Sequence, residues 1–118
     1  MIRKLAILTL LAIAAHQGWQ KLAPKPELEP IFDSAYVAVY GRNTCGHTQR
    51  LVKQLKAQGY TPHYFSVDDK AVADELHERM ESQGMSVERY DLPVVDVNAN
   101  LRIRPSLENV QQIYRTTK

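Results

Sequence analysis

The stretch Tyr36-Val37-Ala38-Val39-Tyr40 is apolar without strict alternation, the pattern of a central strand covered on both faces. A helical period follows. Leu51 and Leu55 lie four residues apart with Thr48 and Val52 beside them, while Lys53, Gln54, Lys56 and Gln58 take the wet side. This predicts a helix from Gly46 or His47 to Gln58, closed by Gly59. Thr61–Val67 reads as a second strand. Asp68-Asp69 offers an N-cap to a second helix, Lys70–Gln83, with Val72, Leu76 and Met80 on its buried stripe and Gly84 at its end. Met85–Leu92 has no clear period. Pro93–Val97 is a third strand with proline at its first position, where no ladder bond is lost. Asn98-Ala99-Asn100 is a turn, and Leu101–Arg104 alternates as the partner strand of a hairpin. Pro105-Ser106 opens a last helix, Leu107–Tyr114, whose buried side is Leu107, Val110 and Tyr114 with Ile113 nearby. The order is βαβα followed by ββα. Right-handed crossovers make the first two strands parallel, and the hairpin adds an antiparallel pair. The expected fold is α/β, a four-stranded mixed sheet with helices on both faces.

The beginning of the chain has a different pattern. Met1-Ile2-Arg3-Lys4 precedes an apolar run from Leu5 to Ala15, with Ala12-Ile13-Ala14 as a small-x-small cleavage site. Residues 1–15 therefore read as a secretory signal or, uncleaved, a membrane anchor, since the run is shorter than the ~20 residues of a full span. A buried first helix is the alternative. Residues 16–33 form a linker in which Pro24, Pro26 and Pro30 prevent a helix, with Leu28, Ile31 and Phe32 able to pack back on a domain spanning 34–118.

At 118 residues, 44% hydrophobic and 24% charged, the chain suits one small domain. Arg3 and Lys4 account for the whole net charge of +2. What remains has no basic run to hold a phosphate backbone, which argues against nucleic acid as a partner. A membrane is met only through an uncleaved first segment. His16, His47, His63 and His77 are dispersed, without the spacing of a metal site.

The one cysteine, Cys45, changes the picture most. It stands where the first strand passes through Gly41-Arg42-Asn43-Thr44 into a helix. A thiol there meets unpaired backbone N–H groups and the positive end of the helix dipole, and both favour the thiolate. With no second cysteine it forms no internal disulfide, so the sequence is no disulfide scaffold. The thiolate can exchange with a mixed disulfide, but an external thiol must then resolve the product. His47 could stabilise the thiolate or form part of a substrate rim. Thr48 could turn its hydroxyl toward the sulfur, and Arg42 could bind a carboxylate of a thiol ligand. Ser106 can cap the last helix and offer an anion site.

The element order, Arg42-Asn43-Thr44 before Cys45-Gly46-His47-Thr48, and Leu92-Pro93-Val94-Val95 resemble the glutaredoxin branch of the thioredoxin-like proteins, over roughly Ser34 to Tyr114. The motif is nearest the monothiol class, Cys-Gly-Phe-Ser, with His47 for the aromatic and Thr48 for the serine. The resemblance implies a cis Leu92–Pro93 bond facing the thiol. It also implies catalysis by Cys45 with Thr48, His47 and Pro93 in support, and a ligand held by Arg42, Thr44, the Leu92 backbone and Ser106. The implied ligand is glutathione or a thiol or disulfide protein substrate, with an external reductant and no permanently bound cofactor. An iron–sulfur cluster would need Cys45 from two chains and two outside thiols, and the short loop before Cys45 departs from the cluster-binding type. The sequence also departs where the family carries Gly-Gly-Cys/Ser-Asp, having Ile103-Arg104-Pro105-Ser106-Leu107 instead. A non-catalytic module that keeps the fold and binds a peptide is the alternative function. Residues 1–15 place either one in an exported location such as a bacterial periplasm.

Overall fold

The computed structural model describes residues 28–117. The expected signal or anchor at 1–15 and the linker as far as residue 27 lie outside the described residues.

The chain builds β1 Val37–Gly41, α1 Gly46–Ala57, β2 His63–Ser66, α2 Lys70–Ser82, β3 Val94–Val97, β4 Asn100–Ile103 and α3 Leu107–Thr116. The sheet order is β2-β1-β3-β4. β1 runs parallel to β2 and antiparallel to β3, and β4 closes the sheet antiparallel to β3. Every residue of β1 is buried, as its unbroken apolar run requires of a strand with a neighbour on each side and a layer on each face.

Alternation along the strands sorts the core into two layers. Ala38, Tyr40 and Val94 face α2 through Leu76 and Met80. Val37, Val39, Val95 and Val97 face Leu51 and Leu55 of α1 and Val110 and Ile113 of α3. In α2 the stripe is narrower than its period suggests, with Val72 only half-buried. In α3 Val110 and Ile113 are buried, while Leu107 and Tyr114 are half-buried flanks.

Local signals set the element ends. Asp69 caps α2 by accepting from the Ala71 N–H at 2.9 Å, and Ser106 caps α3 by accepting from Asn109 at 3.1 Å. Gly59 and Gly84 follow α1 and α2 with φ of 86° and 73°, the left-handed turn that ends a helix. Asn98 and Ala99 carry φ of 50° and 72° in the two-residue hairpin turn. Residues 85–92 form an irregular segment that delivers the chain to Pro93.

Leu28, Ile31 and Phe32 pack on the α2 layer. Phe32 stacks on the His63 ring at 4.2 Å and meets Tyr36 edge-on at 5.3 Å. Arg79 of α2 donates to the Glu29 carbonyl at 2.8 Å. The same arginine pairs with Asp96, a fully buried carboxylate in the middle of β3. Tyr36 donates its hydroxyl to Asp96 at 3.0 Å. Burial pushes the Asp96 carboxyl up, and Arg79 and then Tyr36 draw it partly back.

Candidate active site

β1 ends at Gly41, and the turn 42–45 closes with the Cys45 N–H donating to the Arg42 carbonyl at 3.0 Å. Cys45 is the N-cap residue of α1, in extended backbone (φ −86°, ψ 114°), and its carbonyl accepts the first helical bond from Gln49 at 3.1 Å. Its side chain makes no capping bond and is partly exposed. The strand thus carries the thiol to the rim of the sheet, and the helix presents its unpaired N–H groups to the sulfur.

The Cys45 thiol is held below the usual thiol range. The Thr48 hydroxyl is the main cause, followed by the Thr48 N–H; desolvation opposes, and the His47 N–H and the Arg104 charge add to the lowering. Thr48 is fully buried, and its Oγ1 has no hydrogen-bond partner. These observations agree if the hydroxyl is idle beside a neutral thiol and donates once the sulfur ionises. A buried hydroxyl without a partner costs about 1–3 kcal/mol, so the site gives up stability for a donor kept ready.

Opposite the thiol, the Leu92–Pro93 peptide is cis. Pro93 is buried, and the Leu92 carbonyl lies 3.9 Å from Cys45 Sγ. These residues, with Thr48 and the His47 backbone, form one group around the sulfur. The His47 side chain is exposed at the rim, and Thr44 is exposed in the turn. Arg42 points its guanidinium to Asp68, Nε to Oδ1 3.1 Å, on the surface. Arg42 and Leu92 also line a cleft of about 680 Å³, with Tyr90 and His77 in its wall, joined Nε2 to hydroxyl at 2.6 Å. Ser106 Oγ is committed to its capping bond at the start of α3.

Two neighbours of the site are not among the residues singled out from sequence. Gly41 packs against Thr48 so closely that a Cβ there would lie 2.3 Å from Thr48 Cγ2 and 2.4 Å from Oγ1. The approach requires glycine, and the signal for it was the glycine at the end of an otherwise bulky strand. Arg104 donates Nε to the Leu92 carbonyl at 2.8 Å and its own N–H to the Pro93 carbonyl at 2.7 Å. Its φ is 45°, a left-handed backbone unusual for a residue with a side chain. An arginine where glycine was expected was the visible sign.

Among the described residues no three His, Cys, Asp or Glu side chains gather as a metal site. No protein-family model matches the chain, and no curated protein matches it. Among solved structures, it is similar to the crystal structure of a glutaredoxin from Archaeoglobus fulgidus, at 24% identity with a TM-score of 0.54, over 70% of this chain and 89% of that one. The mixed sheet in the order β2-β1-β3-β4, its three helices and this likeness establish the thioredoxin-like fold of the glutaredoxins.

Proposed function

We propose that the protein is a monothiol thiol–disulfide oxidoreductase of glutaredoxin type, acting through Cys45 on mixed disulfides with glutathione as a thiol partner. The observation that carries this reading is the partly exposed Cys45 at the N-cap of α1, its thiol lowered and facing cis-Pro93. The Cys45 thiolate attacks one sulfur of the mixed disulfide. A new S–S bond joins that sulfur to Sγ, the old S–S bond breaks, and the departing thiolate takes a proton from water. With a single cysteine in the chain, the resolving thiolate comes from solution and regenerates Cys45. Each turnover thus consumes one external thiol, which leaves as a disulfide with the half that was transferred to Cys45. Thr48 and the N–H groups of the first turn hold the negative charge on sulfur before attack and again on release. No permanently bound cofactor enters the cycle. The run Leu5–Ala15 supports an exported, periplasmic setting, soluble or tethered.

Incubation with glutathione disulfide should add one glutathionyl group, located to Cys45 by peptide mass spectrometry. A glutathione-reductase-coupled assay on a glutathionylated substrate should show turnover that Cys45→Ser abolishes. No adduct and no turnover would overturn the reading. A second reading, a peptide-binding module without catalysis, draws on the absence of a second cysteine and on Arg104-Pro105 standing where a glycine pair would let a ligand approach the backbone. A Cys45→Ser protein that keeps its full function in the cell would favour it.

A further inference from the structure

Arg104 and the thiol meet at one backbone carbonyl, that of Leu92. The Arg104 Nε is fixed on the Leu92 carbonyl at 2.8 Å, the same carbonyl that lies 3.9 Å from Cys45 Sγ. Its backbone N–H is fixed on the Pro93 carbonyl at 2.7 Å. The guanidinium is thus held at Nε, and the backbone that carries it is held at its N–H. Among the described residues it pairs with one carboxylate, Asp91, 3.9 Å from Nη2 and itself largely exposed, a loose pairing. Arg42, the other arginine near the thiol, is closed on Asp68 at 3.1 Å. A disulfide entering over Cys45 therefore meets a fixed positive charge beside Leu92.

Building on the exchange reaction above, we propose that Arg104 is a specificity-determining residue, selecting mixed disulfides whose small-thiol half carries a carboxylate close to the sulfur. A planar guanidinium suits a carboxylate, offering parallel N–H donors where an ammonium offers a point charge. Chemistry at sulfur is unchanged: the Cys45–S bond forms, the substrate S–S bond breaks, and the leaving thiolate is protonated by water. Arg104 sets which disulfide is favoured at the moment of attack.

The test uses three disulfides of similar size: 3,3′-dithiodipropionate, a dianion; bis(2-hydroxyethyl) disulfide, neutral; and cystamine, a dication. The rate of Cys45 with each is divided by the rate of a free cysteine peptide with the same disulfide, which removes differences between leaving groups. The native protein should favour the dianion over the dication by about tenfold at low salt, and less as ionic strength rises. Arg104→Gly, which takes φ 45° without strain, should fold and bring the ratio to within about twofold. Arg104→Lys should retain part of it. A folded Arg104→Gly protein with an undiminished ratio would overturn the assignment, leaving the exchange activity standing. No reaction with the neutral disulfide would overturn both.

Discussion

Replacing Arg79 with methionine is expected to destabilise the domain by about 3–5 kcal/mol, the loss typical when one partner of a buried ion pair is removed. Asp96 is fully buried, and the Arg79 side chain is only 12% exposed. Without the guanidinium, Tyr36 at 3.0 Å remains as the hydrogen-bond donor to a carboxylate inside the sheet. The arm at 28–32 also loses the bond from Arg79 to the Glu29 carbonyl. The Asp96 carboxyl is already raised by burial, and losing Arg79 removes the strongest influence drawing it down. A carboxyl raised in the folded state above its unfolded value stabilises most at low pH and loses that contribution as pH rises through the folded value. The deficit of Arg79→Met should therefore shrink as pH falls from neutral. Urea melts at two pH values measure both effects. Arg79→Met combined with Asp96→Leu should recover much of the loss, because an apolar pair leaves no charge stranded. A single variant as stable as the native protein would remove the ion pair as an anchor.

Gly41→Ala should cost about 1–3 kcal/mol and slow the thiol as well, since an added methyl in a filled site displaces its neighbours. The methyl would lie 2.3 Å from Thr48 Cγ2, 2.4 Å from Oγ1 and 2.9 Å from Cβ. Gly41 cannot yield easily, being paired with Ser66 in the sheet and accepting from the Val67 N–H at 2.9 Å. The first turn of α1 must move instead, and it carries the sulfur. Adding Thr48→Ala removes the two closest atoms, so the double variant should regain stability. It should not regain thiol reactivity, because the hydroxyl is gone. Denaturation and alkylation rates on the same samples separate these outcomes. Full reactivity in Gly41→Ala would show that α1 accommodates the methyl without moving the sulfur.

Much of the fold was legible because its signals are local. The period of Leu51 and Leu55, the caps Asp69 and Ser106, and the glycines after two helices act within a few residues of where they stand. The unbroken Tyr36–Tyr40 run indicated a central strand. The strand–helix setting of Cys45 was legible for the same reason, whereas the cis bond before Pro93 came from family resemblance. Long-range features were not readable. Asp96 read as one polar residue in Val94-Val95-Asp96-Val97, and its partners lie 17 and 60 residues away in sequence. The fit of Thr48 against Gly41 is a contact between layers and leaves no periodic trace. Arg104 was visible as a departure from a glycine pair. Its φ of 45° and its hold on Leu92 arise only once the hairpin folds over the proline loop.

The most direct test of the activated thiol is the pH dependence of Cys45 alkylation by iodoacetamide, in the native protein and in Thr48→Val. The hydroxyl of Thr48 has no partner while the thiol is neutral, so valine should fold without loss of stability at pH values where Cys45 is protonated. The native protein should titrate below the free-thiol value of about 8.5, and Thr48→Val should titrate higher and react more slowly at neutral pH. A native midpoint at or above the free-thiol value, unmoved by Thr48→Val, would contradict a thiolate held at the start of α1.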